Sequence, residues 1–444
     1  MNIILIAHNQ IRLVQQNIEM LVKLENISFS DIIIVDNASQ DGLQAWLEEQ
    51  NGLNYLICNE GIESYSVILN TICQEFELHE EILILTPEHM ILPGMLNKMK
   101  SVLTADISIG AVTAKMIYCG TEVGKDYFSA MKYAQEYQKK SELEKKKLAI
   151  KEDVILIKLE MIKEVGKFDE NLILPFSVMV DFLLRGIKKG FSYYECGKAF
   201  FYKMQISNLY YYEHYTKDVD RKYLKKKWGM NYFNIFAHSE LIEYVQKPIE
   251  EDFQILEIGC DCGVNLLEIK NKYPMADCYG MEINESAAEI AESVANVVVG
   301  NIEMEDIPFE GILFDYIIFG DVLEHLHNPE KVLRDCRKRL KANGKIIASI
   351  PNRMHYSVMR DLINGNFSYT DTGLLDKTHI HFFTYNEIIK MFEKENFVIE
   401  NIGMANRPIA PEDKSFVDKL TILSESAEAF MFEAYQYYVV AKLM

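Results

Sequence analysis

QILEIGCDCGVNLLEIKNKY, residues 254–273, changes its hydrophobic period in the middle. The first six residues form a short apolar run ending at glycine, the pattern of a buried strand, and the last nine space their apolar residues along one helix face. Between them residues 260–264 make a turn flanked by Gly259 and holding Gly263, and glycine lets the backbone turn sharply and approach a ligand closely. A helix that opens directly after such a turn aims its first amide N–H groups at whatever binds there.

The alternation continues outward from this stretch. CYGMEI (278–283) reads as a strand, ESAAEIAESV (285–294) as a helix, VVVG (297–300) as a third strand and FDYIIFG (314–320) as a fourth. PEKVLRDCRKRL (329–340) is a helix and KIIASI (345–350) a fifth strand, while EAYQYYVVAKL (433–443) reads as a last strand that closes the sheet. Strands interleaved with helices of this length imply parallel pairing with right-handed crossovers. In such a sheet ligands bind at the carboxyl ends of the strands beside the switch point, where Gly259, Asp261 and Gly263 fall. Glu282 ends the second strand about twenty residues after the turn, where a carboxylate can accept both hydroxyl hydrogens of a ribose.

Taken in order, LEIGCDCG, GMEIN, GNIE, FDYIIFGDVLEHL, NGKIIASIPN and HIHFFTYNEI closely resemble the class I S-adenosylmethionine-dependent methyltransferase pattern. The resemblance covers nearly all of the chain beyond Phe253 and implies S-adenosylmethionine as cofactor. It puts Glu257 and Gly259 near the methionine end, Glu282 with Ile283 at the ribose, and Asn301 with Ile302 around the adenine. Asp321 and His325 flank the transferred methyl. Two positions depart from the pattern. Asp261 stands for the middle glycine of the turn and either caps the following helix or meets the cofactor's amino group or sulfonium. Asn301 stands where an aspartate is commoner, and its amide brings donors of its own to the adenine edge.

Methyl transfer is an in-line displacement at a sulfonium carbon, so holding nucleophile and methyl at near-attack distance supplies much of the acceleration. A protonated nucleophile also needs a base. An imidazole can exchange a proton near neutral pH, and His325 follows a strand at the catalytic edge, although the same ring can pack the loop instead; Asp321 and Glu324 are alternative acceptors. His379 and His381 alternate as on a strand, which puts both rings on one face, for structure or for acceptor binding. Residues 353–376 lack periodicity and read as a lid or acceptor loop. Cys260 and Cys262 form a CxC inside the glycine turn, a loop-packing pair or, less simply, a metal pair.

In the first half, strands over 3–7, 31–35 and 81–85 and helices over 14–24 and 95–103 give a β-α-β start. AHN, IIIVDNASQDG, NEGIESYSVILN, ILTPEHMILPG and VGKFDENLILP resemble a family 2 glycosyltransferase of the GT-A, nucleotide-diphosphosugar-binding type. The resemblance implies a nucleotide-sugar held by Asn9, Asp36, Asn59 and Glu88 with Mg or Mn, Asp36 meeting the base; as a turn former, Asp36 before Asn37 has a simpler role. The metal motif is reduced to Glu88, with His89 as a softer ligand. The position of the acceptor's base falls in the apolar FSVMVDF, where Asp181 is the nearest carboxylate. KKSELEKKK (139–147) reads as a solvated helix or loop.

These readings divide the 444 residues into a GT-A-like domain (1–205), a helical linker (206–250) and a methyltransferase domain (251–444), two Rossmann-like α/β domains in one chain. A net charge of −20 disfavours nonspecific binding to nucleic acid or anionic lipid. Eight cysteines without a disulfide framework fit a reducing cytoplasm, and no apolar run is long enough for a membrane span. The expected function is methylation of a small acceptor, a sugar or glycan intermediate, beside a degenerate glycosyltransferase-like domain. Two alternatives stand beside it: a bifunctional enzyme that transfers a sugar and then methylates the product, and a first domain that only docks a glycan or protein.

Overall fold

The computed structural model describes residues 1–58, 61, 63–139, 144–150, 154–204, 210–229 and 235–444. It divides into two compact units, Met1–Ile235 and Phe236–Met444.

The first unit is built on one sheet. Its strands are β1 (Asn2–Ala7), β2 (Ile32–Asn37), β3 (Asn54–Cys58), β4 (Glu81–Leu85), β5 (His89–Ile91), β6 (Ile109–Tyr118), β7 (Lys145–Lys147), β8 (Ile155–Lys158) and β9 (Ser192–Lys203). Their order is β3-β2-β1-β4-β8-β6-β9-β5, with β7 also on β9. β1 to β4 run parallel, and β1 and β2 are buried along their whole length, as strands covered on both faces must be. The register pairs Ala7 with Asp36, which puts Asp36 at the carboxyl edge. The charged run 139–147 departs from its expected helix or loop. Its last three lysines form β7, antiparallel to β9, where charged side chains suit an outer strand; residues 140–143 lie outside the described part.

Asp181 does not face an open site. It sits on the helix Pro175–Ile187 with its side chain fully buried, taking hydrogen bonds from Arg185 Nε (2.9 Å) and Trp228 Nε1 (3.0 Å), with Lys227 Nζ at 2.6 Å. The segment expected to link the domains is shared between the units. The helix Tyr210–Trp228 is clamped into the first, where Asp220 accepts the N–H groups of Ile173 and Leu174 just ahead of the helix Pro175–Ile187. The short helix Ser239–Ile242 belongs to the second, with Leu241 and Val245 in its core.

The second unit holds β10 (Phe253–Ile258), β11 (Ala276–Glu282), β12 (Asn296–Val299), β13 (Phe314–Gly320), β14 (Leu340–Pro351), β15 (Phe397–Asn406) and β16 (Ala434–Leu443), in the order β12-β11-β10-β13-β14-β16-β15. The first five are parallel, and β16 runs antiparallel to both β14 and β15. The sequence reading finds six of these strands and misses β15. It also places β16 as the closing strand, whereas β16 is internal and β15 lies outermost. Alternate residues feed two cores: Leu256, Ile258, Ile317 and Phe319 pack on one face, and Phe253, Ile255, Tyr316 and Ile318 on the other.

Replacing Asp181 by asparagine takes the buried charge away from the part-exposed Arg185 and Lys227 and from the Trp228 indole, and the expected loss is about 2 kcal/mol of stability. Urea unfolding of the full chain measures it; a loss below about 0.5 kcal/mol, usual for an exposed acid, refutes the clamp.

Candidate functional site

The chain runs outward from β10 through β11 to β12, then returns to lay β13 on the other side of β10. This reversal makes a crevice at the carboxyl ends of β10 and β13. Three residues of the turn after β10 are left-handed: Gly259 (φ 69°), Asp261 (φ 48°) and Gly263 (φ 81°). A side chain on Gly259 would come within 2.6 Å of Val322, and one on Gly263 would meet Val294 and Ala291. Asp261 is one of the few residue types that tolerates this conformation. Its Oδ1 accepts the N–H of Cys262 at 2.7 Å, within the turn, and the N-cap position of the helix Val264–Lys272 is Gly263. Cys260 and Cys262 are buried, burial pushes both thiols well above their usual range, and Cys260 Sγ packs against Gly280; they fill the loop.

Glu282 is buried at the end of β11. One carboxylate oxygen accepts the Asp261 N–H (2.8 Å) and the other the Asn284 N–H (2.8 Å). Each oxygen keeps a further lone pair for a ligand. Glu257, on β10, accepts from Asn265 Nδ2 through Oε1 (2.6 Å), while its Oε2 is buried without a partner among the described residues. Burial pushes this carboxyl up to about 8; the Asn265 bond opposes the rise and the charges of Asp261 and Glu282 add to it. Beyond β12, Asn301 bonds locally, its Oδ1 accepting the Glu303 N–H at 3.0 Å, beside a buried Ile302. Ile283 is exposed at the rim.

Asp321 (φ 54°) follows β13 directly. Ser349 of β14 and Gln436 of β16 both donate to its Oδ1, and its own N–H reaches Ser349 Oγ at 2.9 Å. Next comes the short helical turn Leu323–His325. His325 Nδ1 lies 3.1 Å from the Thr378 carbonyl, which can only accept, so Nδ1 carries the proton and Nε2 keeps its lone pair. His325 and His379 meet edge to face, with ring centroids 4.8 Å apart. His381 turns away and stacks on Phe383, because residues 377–384 form no strand; the expected shared face is absent. Glu324, His325 and His379 bring one potential ligand atom each to within 4.8 Å of one another. The loop expected over 353–376 contains a helix, Tyr356–Ile363. Sequence reading missed Asn265, Ser349 and Gln436; the last two could have been noticed as polar residues inside otherwise apolar strands.

Residues 230–402 match a family described as a methyltransferase domain. The second unit is a methyltransferase domain. The chain is 30% identical over 203 residues to protein MJ1123 of Methanocaldococcus jannaschii, covering 44% of this chain and 89% of that one, and the two belong to one family. A ubiquinone biosynthesis O-methyltransferase of Coxiella burnetii is 24% identical over 134 residues, 29% of this chain and 56% of that enzyme. A solved SAM-dependent methyltransferase from Archaeoglobus fulgidus aligns with 50% of this chain and 98% of its own at 19% identity and a TM-score of 0.34. No helix among the described residues is long and apolar enough to cross a membrane.

In the first unit the expected residues are occupied by the protein itself. Asp36 Oδ1 accepts the Ser39 N–H at 2.8 Å, the turn-forming role. Asn9 accepts the Gln40 N–H at 2.6 Å, and Glu88 is reached by Gln10 Nε2 at 3.4 Å. His89 is fully buried, bonded to Thr86 Oγ1 and set against Phe201; burial lowers its imidazole to about 3, and it does not join Glu88 as a ligand. No set of three ligand side chains includes Glu88 among the described residues. Asn59 lies outside them.

The Glu257 carboxyl of the methyltransferase domain holds its proton to about pH 8 when folded and releases it near 4.5 when unfolded. Its contribution is therefore full below pH 4.5 and is lost as pH rises through 8. The melting temperature of the ligand-free chain is expected to fall between pH 5 and 8, and Glu257→Gln to fall less; equal slopes in the two proteins refute the assignment.

Proposed function

We propose that the second unit binds S-adenosylmethionine across the carboxyl ends of β10 and β11 and transfers its methyl to a hydroxyl of a small acceptor, a sugar or glycan intermediate. The observation that carries this reading is Glu282. It is a buried carboxylate, braced by two backbone N–H groups and with lone pairs remaining, beside a turn whose left-handed residues allow close approach. Glu257 Oε2 supports the fit, since a buried acceptor without a partner suits the cofactor's ammonium group. The cofactor supplies a methyl on a positively charged sulfur. The chain's own part is to hold the ribose at Glu282, the amino-acid end at Glu257, and the adenine between Ile283, Asn301 and Ile302. Asp321 is fixed by Ser349 and Gln436 near the reacting end, and His325 keeps an Nε2 lone pair for work at that end. The O-methyltransferase named among the relatives supports oxygen as nucleophile.

Glu282→Ala is expected to weaken binding of S-adenosylhomocysteine by at least about 100-fold, the loss of a charge-assisted pair of hydrogen bonds, without unfolding the chain. Calorimetry checks it, and unchanged affinity removes the pocket from β11.

For the first unit we propose a GT-A-like module that binds a glycan or nucleotide-sugar without transferring it. The parallel order β3-β2-β1-β4 supports the fold resemblance. The internal bonds of Asp36 and Glu88, together with the buried Asp181, argue against transfer. Titration of the full chain with a nucleotide-sugar, with and without manganese, is expected to show no manganese-dependent sugar release; release that requires manganese favours the bifunctional enzyme.

A further inference from the structure

Glu324 has the most demanding environment in the second unit. Its side chain is 1% exposed, and neither carboxylate oxygen has a hydrogen-bond partner among the described residues. An unpartnered buried carboxylate is costly, and such groups are normally paired, protonated or bound to a metal. Its backbone explains how the neighbours gather. The Glu324 carbonyl accepts the N–H groups of both Ile380 (2.9 Å) and His381 (3.0 Å), which docks the segment carrying His379 against the turn carrying His325.

One imidazole is already oriented from behind: His325 donates Nδ1–H to the Thr378 carbonyl, and His379 packs edge to face against it. Metal-bound histidines are held in this way, with one nitrogen on a carbonyl and the other left as ligand. His379 Nε2 then faces Glu324 Oε1 at 4.0 Å. That separation is too long for a hydrogen bond, so a proton on Glu324 does not join them. An ion does so by drawing the ligand atoms inward, since arms of about 2.0–2.2 Å in a tetrahedral site place them roughly 3.3–3.6 Å apart.

We propose that Glu324, His325 and His379 hold a divalent transition-metal ion of the zinc type, whose open coordination position takes a hydroxyl oxygen of the acceptor. Two imidazoles and one carboxylate with an open position form the donor set of catalytic zinc sites, whereas magnesium and calcium favour oxygen ligands alone. The ion, which occupies the His325 lone pair, lowers the pKa of the bound hydroxyl so that its proton leaves to solvent. The oxygen then forms a bond to the methyl carbon, the carbon–sulfur bond breaks, and its electron pair returns to sulfur as a neutral thioether. The ion site stands on the geometry; the acceptor's place on it rests on the methyltransferase reading.

The test uses the full chain, stripped of metal with a chelator and titrated with Zn2+ alone and with Mg2+ alone, with S-adenosylhomocysteine binding measured on the same samples. One Zn2+ per chain is expected, with Mg2+ far weaker. Glu324→Gln and His379→Ala are expected to weaken zinc binding roughly 100-fold or more while keeping the S-adenosylhomocysteine affinity that shows them folded. Absence of stoichiometric zinc, variants that bind it as tightly as the natural chain, or Mg2+ bound equally well overturns the site. Zinc binding without S-adenosylhomocysteine binding leaves the ion site standing and removes the methyltransferase reading; the converse removes the ion alone.

Discussion

The cofactor turn of the second unit is held by a single carboxylate bridging two strand ends. Glu282 holds the Asp261 N–H of the neighbouring turn and the Asn284 N–H of its own, while the Gly259 N–H bonds the Met281 carbonyl at 2.8 Å. These bonds fix a turn whose left-handed residues would otherwise sample many conformations. With the turn fixed, the helix Val264–Lys272 starts at a set angle and Asn265 meets Glu257. The same closeness that excludes a side chain at Gly259 brings Val322, and behind it the Asp321–His325 segment, up to the crevice.

Much of this was legible because burial imposes period on sequence. Residues 254–283 show a strand, a glycine turn, a helix and a strand ending in an acid, and the structure repeats that order. What the sequence could not show is where the acid's oxygens point, since backbone N–H groups carry no residue signature. The pairing of His379 with His381 failed for a related reason. Alternation assumes a ladder, but both N–H groups at 380 and 381 converge on one carbonyl, and the rings diverge. β15 escaped notice because a bulge between Ile399 and Asn401 interrupts its alternation.

The first unit teaches a different lesson about acidic residues. Asp36 and Asp181 lie where the sequence resemblance invites a chemical role, and Asp220 is buried on the helix Tyr210–Trp228. Each instead satisfies amides, an indole or cations of the fold. A carboxylate already bonded within the fold is poorly placed to meet a metal, and these three acids act as braces, whereas Glu257 and Glu324 of the second unit keep oxygens without a partner among the described residues.

The internal position of β16 affects how the second unit comes into being. β14 and β15 do not touch along their lengths; each is paired to β16, whose Gln436 also reaches Asp321. A nascent chain that has not yet delivered residues 434–443 therefore has the cofactor turn after β10 but neither a finished sheet nor an anchored Asp321. Assembly of the reacting end must wait for those residues to leave the ribosome, whereas the glycine turn can form as soon as β10 and β11 have emerged.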